Sequence, residues 1–224
     1  MPSYEDIDKR LGPLLPCESG WELHGHHCVK VFTQPKNWND ADDDCAFNGG
    51  HLVSIHSENY NQWVRGLFQN ATKNIPAPDW DGFWSGMSYT GLEWKWSDKS
   101  IVQYFNWRAG EPNNWEGELE VNLSTLVNII LGQTEDCVEV YNDGTWNDDP
   151  CSNELPYVCK KVAQTEWCAV AAVSGSQKKC GEAGTNEDEC RRVFGCCWDP
   201  AVEIDGFPGN HCFKPSGKLH SVLQ

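Results

Sequence analysis

Two short stretches of this chain carry oxygen-bearing side chains at close spacing. Glu111-Pro112-Asn113 offers a carboxylate and an amide oxygen on either side of a proline that stiffens the backbone between them. Asn147-Asp148 offers a second amide and a second carboxylate, just after an Asp143-Gly144 pair. Donor sets of this kind suit a hard cation, and calcium takes about 6 to 8 such oxygens. One such stretch alone is what a surface turn contains; clustered carboxylates could serve a hard cation. The charge supports this. Of 33 acids and 17 bases, residues 1–160 hold 25 and 10, while residues 161–224 hold 8 and 7. The acidity therefore sits with the candidate ligands. A net charge of −16 excludes nucleic acid as a partner, because phosphate contacts need Lys and Arg. His24, His26 and His27 offer nitrogen donors to a transition metal, or decorate a hairpin. No G-x-S-x-G, H-E-x-x-H or phosphate-binding loop occurs.

The elements that must position these residues are legible in part. NWNDADDDCAFNGG reads as a helix, with Asn37 or Asn39 as cap and Gly49-Gly50 as stop. A short strand follows, then Ser57 caps a second helix with Tyr60, Trp63, Val64 and Leu67 at i, i+3, i+4 and i+7. GFWSGMSY, EWKWS and VQYFNW read as strands between Gly, Asp and Ser turns. Asp143-Gly144, between Tyr141 and Trp146, predicts a hairpin. There are 12 Trp, enough either to fill a core or to present flat faces to a ligand. No run approaches the ~20 apolar residues of a membrane helix. Asn70-Ala71-Thr72 and Asn122-Leu123-Ser124 are N-glycosylation sequons.

Twelve cysteines fall into two sets of six: 17, 28, 45, 137, 151 and 159, then 168, 180, 190, 196, 197 and 212. That density, with no C-x2-C pair, predicts disulfides and a secreted, extracellular protein rather than a zinc protein. Residues 1–16 show no apolar signal-peptide core, so the cysteines alone carry that expectation. Within each set, six cysteines allow 15 pairings.

CESGWELHGHHC, GGHLVSIHS, FWSGM, WSD, NWRAGEPNN, EDCV, GTWND and LPYVCKK occur in this order, with Trp38, Ala41 and Cys45 between the first two. Together they resemble the C-type lectin-like domain over residues 17–161. FWSGM departs from the usual W-I-G-L by Ser85 and Met87. The resemblance implies an α+β fold of two helices, short mixed strands and a long calcium loop. It implies the long-form pairing Cys17–Cys28, Cys45–Cys159 and Cys137–Cys151. It further implies that Glu111, Asn113, Glu135, Asn147 and Asp148 share a calcium ion, and that the Glu111–Pro112 bond is cis. Two vicinal sugar hydroxyls would complete the metal shell while pairing with the Glu and Asn oxygens. Glu-Pro-Asn is the order associated with mannose, fucose and N-acetylglucosamine. Trp115 stands where an indole could stack on a galactose face instead, or pack on its own loop. The auxiliary calcium site of the family draws on acids where this chain has residues 88–92 and Asn114, so it is expected to be absent. The loop from Asn113 to Glu135 is long and holds VNLSTLVNIILG, an apolar run at odds with a polar calcium loop. It reads as a hydrophobic insertion or as a retained short intron.

Cys168-x11-Cys180-Gly181, Cys190-x5-Cys196-Cys197-Trp198-Asp199 and His211-Cys212-Phe213-Lys214-Pro215 resemble the trefoil, or P-type, domain. The resemblance implies the pairs Cys168–Cys197, Cys180–Cys196 and Cys190–Cys212. It also implies a cleft that meets mucins or glycans, although His211 replaces the usual Trp and the loop after Asp199 is long. The expected organisation is a tail over 1–16, the lectin-like domain over 17–161, a linker over 162–166, a trefoil over 167–216 and a tail over 217–224. The two modules account for the chain and leave no room for a catalytic domain, so carboxylates near Glu111 do not read as a glycosidase pair. The expected function is calcium-dependent binding of glycans on cell-surface, mucin or microbial glycoconjugates, by a protein that is not an enzyme and is a possible homo-oligomer. The alternative is a calcium-independent protein-binding domain with the trefoil as spacer.

Overall fold

The computed structural model describes residues 13–75, 80–114 and 134–165, together with 168, 180, 190, 196–198, 212 and 213. Trp115, the Asn122 sequon and the apolar run 121–132 lie outside them, as do most of the two tails and of the C-terminal module. The chain divides into two compact units. One is Val29–Lys160; the other combines Met1–Cys28 with Lys161–Gln224.

The two helices of the Val29–Lys160 unit begin at caps the sequence predicts, and the first also ends at its predicted glycine stop. α1 spans Trp38–Phe47, and its cap Asn37 accepts the Asp40 N–H at 2.9 Å while its own amide donates to the Asp40 carboxylate. It stops at Gly49, whose φ of 84° is the left-handed conformation glycine tolerates. There Gly49 and Gly50 donate back to the carbonyls of Ala46 and Cys45. α2 spans Glu58–Thr72 and is capped by the Ser57 hydroxyl. Its innermost residues are Asn61, Val64 and Phe68, with Tyr60, Trp63 and Leu67 half-buried beside them. The expected stripe is therefore rotated: Phe68 and a polar residue, Asn61, take central positions.

The strands are β1 (Glu22–His24), β2 (His27–Lys36), β3 (His51–Leu52), β4 (Gly82–Tyr89), β5 (Trp94–Trp96), β6 (Cys137–Tyr141), β7 (Trp146–Asp149) and β8 (Leu155–Val162). They pair in the order β1-β2-β8-β4-β6-β7, with β3 on β8 and β5 on β4. His24 and His27 flank the β1–β2 turn. β6 and β7 form the antiparallel hairpin expected at Asp143-Gly144, in the register Val138↔Asp148 and Glu139↔Asn147. VQYFNW does not form a strand. Only Trp107 makes a bridge, to Trp146; the rings of Tyr104 and Trp107 turn inward while Phe105 stays exposed. Tyr104, Trp107 and Trp96 all set edges against the Trp146 ring, at centroid distances of 5.4, 6.0 and 5.9 Å. Trp146, fully buried, is thus the hub of the core directly before Asn147 and Asp148.

A charged cluster braces the Val29–Lys160 unit beside the core. Lys160 pairs with Asp98 at 2.9 Å, and the hydroxyls of Ser54 and Ser100 donate to the same carboxylate. Burial alone would raise the Asp98 pKa. The Lys160 ammonium and the two hydroxyls outweigh that and hold it well below the carboxylate range.

The bridges are Cys45–Cys159 and Cys137–Cys151, then Cys17–Cys28, Cys168–Cys197, Cys180–Cys196 and Cys190–Cys212. In the second unit, Leu14 bridges Thr165 and the Leu15 N–H reaches the Gln164 carbonyl at 2.8 Å. Lys161 pairs with Glu18 and lies over the Trp21 ring. Further along, β9 (Cys197–Trp198) and β10 (Cys212–Phe213) are antiparallel.

Candidate cation site

Three segments converge on one carboxylate. Asp148 lies on β7 and is 1% exposed. Its two oxygens accept the backbone N–H groups of Asn113 at 3.0 Å and Asn114 at 2.7 Å. This fixes the Glu111-Pro112-Asn113 segment against the hairpin. The Glu111–Pro112 peptide bond is cis, and Asn114 adopts φ 41°, a left-handed conformation that Asn tolerates better than most residues. The Asn114 side chain in turn accepts the Glu135 N–H at 3.2 Å, which brings the third segment to the same place. Glu135 is two residues before Cys137, whose disulfide to Cys151 clamps the base of the β6–β7 hairpin. Asn147 is half-buried beside Asp148.

The approach to Glu111 is also fixed by backbone bonds. Trp146 N–H donates to the Asn106 carbonyl, Arg108 N–H to Trp146, and Glu111 N–H to Arg108, at 2.8 to 2.9 Å. Glu111 Oε2 is then buried with no hydrogen-bond partner. Burial raises the Glu111 pKa, and the adjacent Asp148 carboxylate raises it further; the Arg108 guanidinium offsets this in part. A buried, unpaired carboxylate oxygen facing a second carboxylate is the environment a divalent cation would neutralise. The donor set, carboxylates plus amides and no soft ligand, fits calcium.

Among the described residues, the ligand atoms of Cys180, Cys196 and Cys212 meet within 4.8 Å, but these sulfurs are closed in two disulfides and offer no thiolate. The oxygens of Glu111, Glu135 and Asp148 do not meet so closely; Glu111 and Asp148 form the pair and Glu135 is tied in through Asn114. Sequence reasoning missed the pinning role of Asn114, whose signal was a second Asn after Glu-Pro-Asn. It also missed Asn61 and Asn106, both of which donate to the Gly144 carbonyl. Asn70, of the first sequon, is exposed on the last turn of α2.

The fold and this convergence define a C-type lectin domain. The lectin C-type domain profile matches residues 34–161, and the chain belongs to that family. It is 31% identical over 174 residues to the human C-type mannose receptor 2; the match covers 76% of this chain and 10% of that protein, so this chain spans about a tenth of that relative's length. Among solved structures it resembles the cow carbohydrate-recognition domain of CD23, solved in the presence of a GlcNAc2Man3 oligosaccharide. There the identity is 28% and the TM-score 0.52, over 66% of this chain and 98% of that one. It resembles equally a calcium-independent type II antifreeze protein, at 26% identity and TM-score 0.52, over 68% of this chain and 98% of that one.

Proposed function

We propose that this protein is a secreted, calcium-dependent carbohydrate-binding lectin whose site is built by Glu111, Asn113, Glu135, Asn147 and Asp148. The observation that carries the reading is the buried, unpartnered Glu111 Oε2 beside Asp148. Calcium held by these residues would act as a Lewis acid toward the hydroxyl oxygens of a sugar. The chain's own residues do the rest. Asp148 holds the Glu-Pro-Asn segment by two backbone bonds, the carboxylate and amide oxygens accept sugar hydroxyl protons, and Asn amides donate to sugar oxygens. The likeness to a mannose receptor and to a CD23 domain solved in the presence of an oligosaccharide supports a glycan partner. Disulfides support an extracellular setting. The reading is of a binding protein and not an enzyme. Retention on a sugar column, released by chelator, is the expected result; retention that survives chelator sinks it. The likeness to a calcium-independent protein favours the second reading, a protein-binding domain without calcium, in which no sugar column retains the chain. The three C-terminal bridges and the β9–β10 pair support a trefoil module, for which the resemblance implies contact with mucin or glycans.

Sugar binding is expected to fall with pH. Protons and calcium compete for the same carboxylates. Glu111, whose pKa is raised by burial and by the adjacent Asp148 carboxylate, takes a proton as pH falls, and sugar binding is lost with it. Raising calcium should move the midpoint to lower pH. A midpoint that ignores calcium concentration contradicts this competition.

Glu111 and Asn113 favour a vicinal equatorial pair of hydroxyls, the 3- and 4-hydroxyls of mannose or N-acetylglucosamine or the 2- and 3-hydroxyls of fucose, so these sugars are expected first, with galactose second. Stacking by Trp115 is of the order of 0.5–1.5 kcal/mol. That is up to about tenfold in affinity. Trp115→Ala should spare mannose and weaken galactose on a glycan array. Strong galactose preference abolished by Trp115→Ala would reverse this assignment.

A further inference from the structure

Helix α2 grips the site hairpin at three consecutive carbonyls. The side-chain amide of Asn61 donates to the Gly144 carbonyl at 2.8 Å, the Arg65 guanidinium to that of Asp143 at 3.1 Å, and Gln69 to that of Asn142 at 2.8 Å. Positions 61, 65 and 69 are four apart and share one helix face, so each side chain meets one carbonyl of the turn in reverse order. Gly144 has φ 91°, and a Cβ there would lie 3.2 Å from the Asn61 amide nitrogen. Glycine is therefore needed twice, for the turn and for the close approach.

Asn61 differs from the other two. It is 0% exposed, in the apolar stripe with Val64 and Phe68. A polar group there is costly unless bonded, and an apolar residue would fill the space more simply. Both ends of its amide are in use: Oδ1 accepts the Trp146 indole N–H at 3.0 Å while Nδ2 holds Gly144. The consequence reaches both arms of the cation site. Trp146 is followed directly by Asn147 and Asp148. The same Gly144 carbonyl accepts from Asn106, which accepts the Trp146 N–H, and Trp146 in turn holds Arg108 and so Glu111. The hairpin is thus fixed at its base by Cys137–Cys151 and at its turn by α2. A buried polar residue where packing alone asks for an apolar one marks a place where function overrides local preference.

We propose that Asn61 is a positioning residue of the cation site: anchored on α2, it sets Gly144 and Trp146, and through them Asn147, Asp148 and Glu111. Its ligand rests on the calcium reading, whereas its effect on the hairpin does not, and two measurements on the full chain separate them. The first, in chelator, is amide hydrogen exchange. In Asn61→Leu the amides of 146–148 should exchange about tenfold faster or more, while 138–140 change less. Unchanged exchange at 146–148 overturns the proposal whatever the metal does. The second is calcium affinity by titration calorimetry. Partners that orient metal ligands from behind typically cost about 10- to 100-fold in affinity when removed, and that loss is expected here. Asn61→Asp, nearly isosteric and still able to accept the indole N–H, carries the test if Asn61→Leu does not fold. Val64→Ala, one turn away on the same buried face, is the control for general destabilisation. It should keep calcium affinity within about twofold. A loss in Val64→Ala equal to that in the Asn61 variants would show a merely structural role and overturn the proposal. Wild-type protein that binds no calcium would refute the calcium reading, and the exchange result would then decide the positioning role by itself.

Discussion

Glu111→Gln and Asp148→Asn are both expected to lose calcium affinity, but with opposite effects on the metal-free protein. Each removes a formal charge from the proposed calcium site, and a loss of about tenfold or more is expected in each case. Glu111→Gln does little else. Its Oε2 has no partner and faces Asp148, so neutralising it relieves repulsion in the metal-free chain. The melting temperature in chelator should stay level or rise. Asp148→Asn is different. Both Asp148 oxygens accept backbone N–H groups, from Asn113 and Asn114. An amide replaces one acceptor with a donor, which then points at another donor. Hydrogen bonds to charged groups are worth about 1.5–3 kcal/mol, so stability should fall by roughly that amount and the 111–114 segment should detach. Calcium loss should then exceed that of Glu111→Gln. Titration calorimetry and melting in chelator check both statements. Unchanged calcium binding in both variants removes the site; equal melting shifts remove the division of roles between the two carboxylates.

The sequence made local turns and caps legible sooner than the packing. The Ser57 cap and the Gly49-Gly50 stop were readable because each satisfies a local backbone need, whereas the first cap was narrowed only to Asn37 or Asn39 and proves to be Asn37. The Asp143-Gly144 hairpin was readable for the same reason. VQYFNW misled, because aromatic content suggests strand while the rings of Tyr104 and Trp107 are committed to Trp146 instead. The α2 stripe was misjudged by one position because periodicity scores apolar residues, and the central residue there is an asparagine whose partners lie 83 and 85 positions away. Tertiary bonds of that range leave no mark in a local window. Glu111 and Asp148 were visible as residue types, but that Asp148 pins the Glu-Pro-Asn backbone, with Asn114 as the link to Glu135, is a product of three segments meeting. The cysteine count left the pairing open, and only the resemblance supplied one.

Glu139→Gln is expected to remove most of the alkaline loss of stability in the metal-free protein. Glu139 lies on β6 opposite Asn147 and is 6% exposed. Gly82 on the neighbouring β4 leaves the space its carboxyl occupies, since a Cβ there would come 2.5 Å from Glu139 Oε1. Burial pushes the Glu139 pKa from its ordinary 4.5 up to about 8, and the charges of Asp149 and Asp81 add to the shift. The folded chain therefore holds this proton more tightly than the unfolded chain does. Its contribution is fully present below about pH 4.5 and declines as pH rises through about 8, where the buried group must ionise. A shift of this size corresponds to the order of 5 kcal/mol across that window. Glutamine keeps the shape and cannot ionise, so its unfolding midpoint in urea, measured in chelator with disulfides intact, should be nearly flat between pH 5 and 9 in this respect. Wild type should fall between about pH 5 and pH 8 and level off above that, so the gap between the two should widen over that window and then stay constant. The reverse sign, with Glu139→Gln losing stability relative to wild type as pH rises, would mean that Glu139 is ionised in the folded protein and holds a partner there.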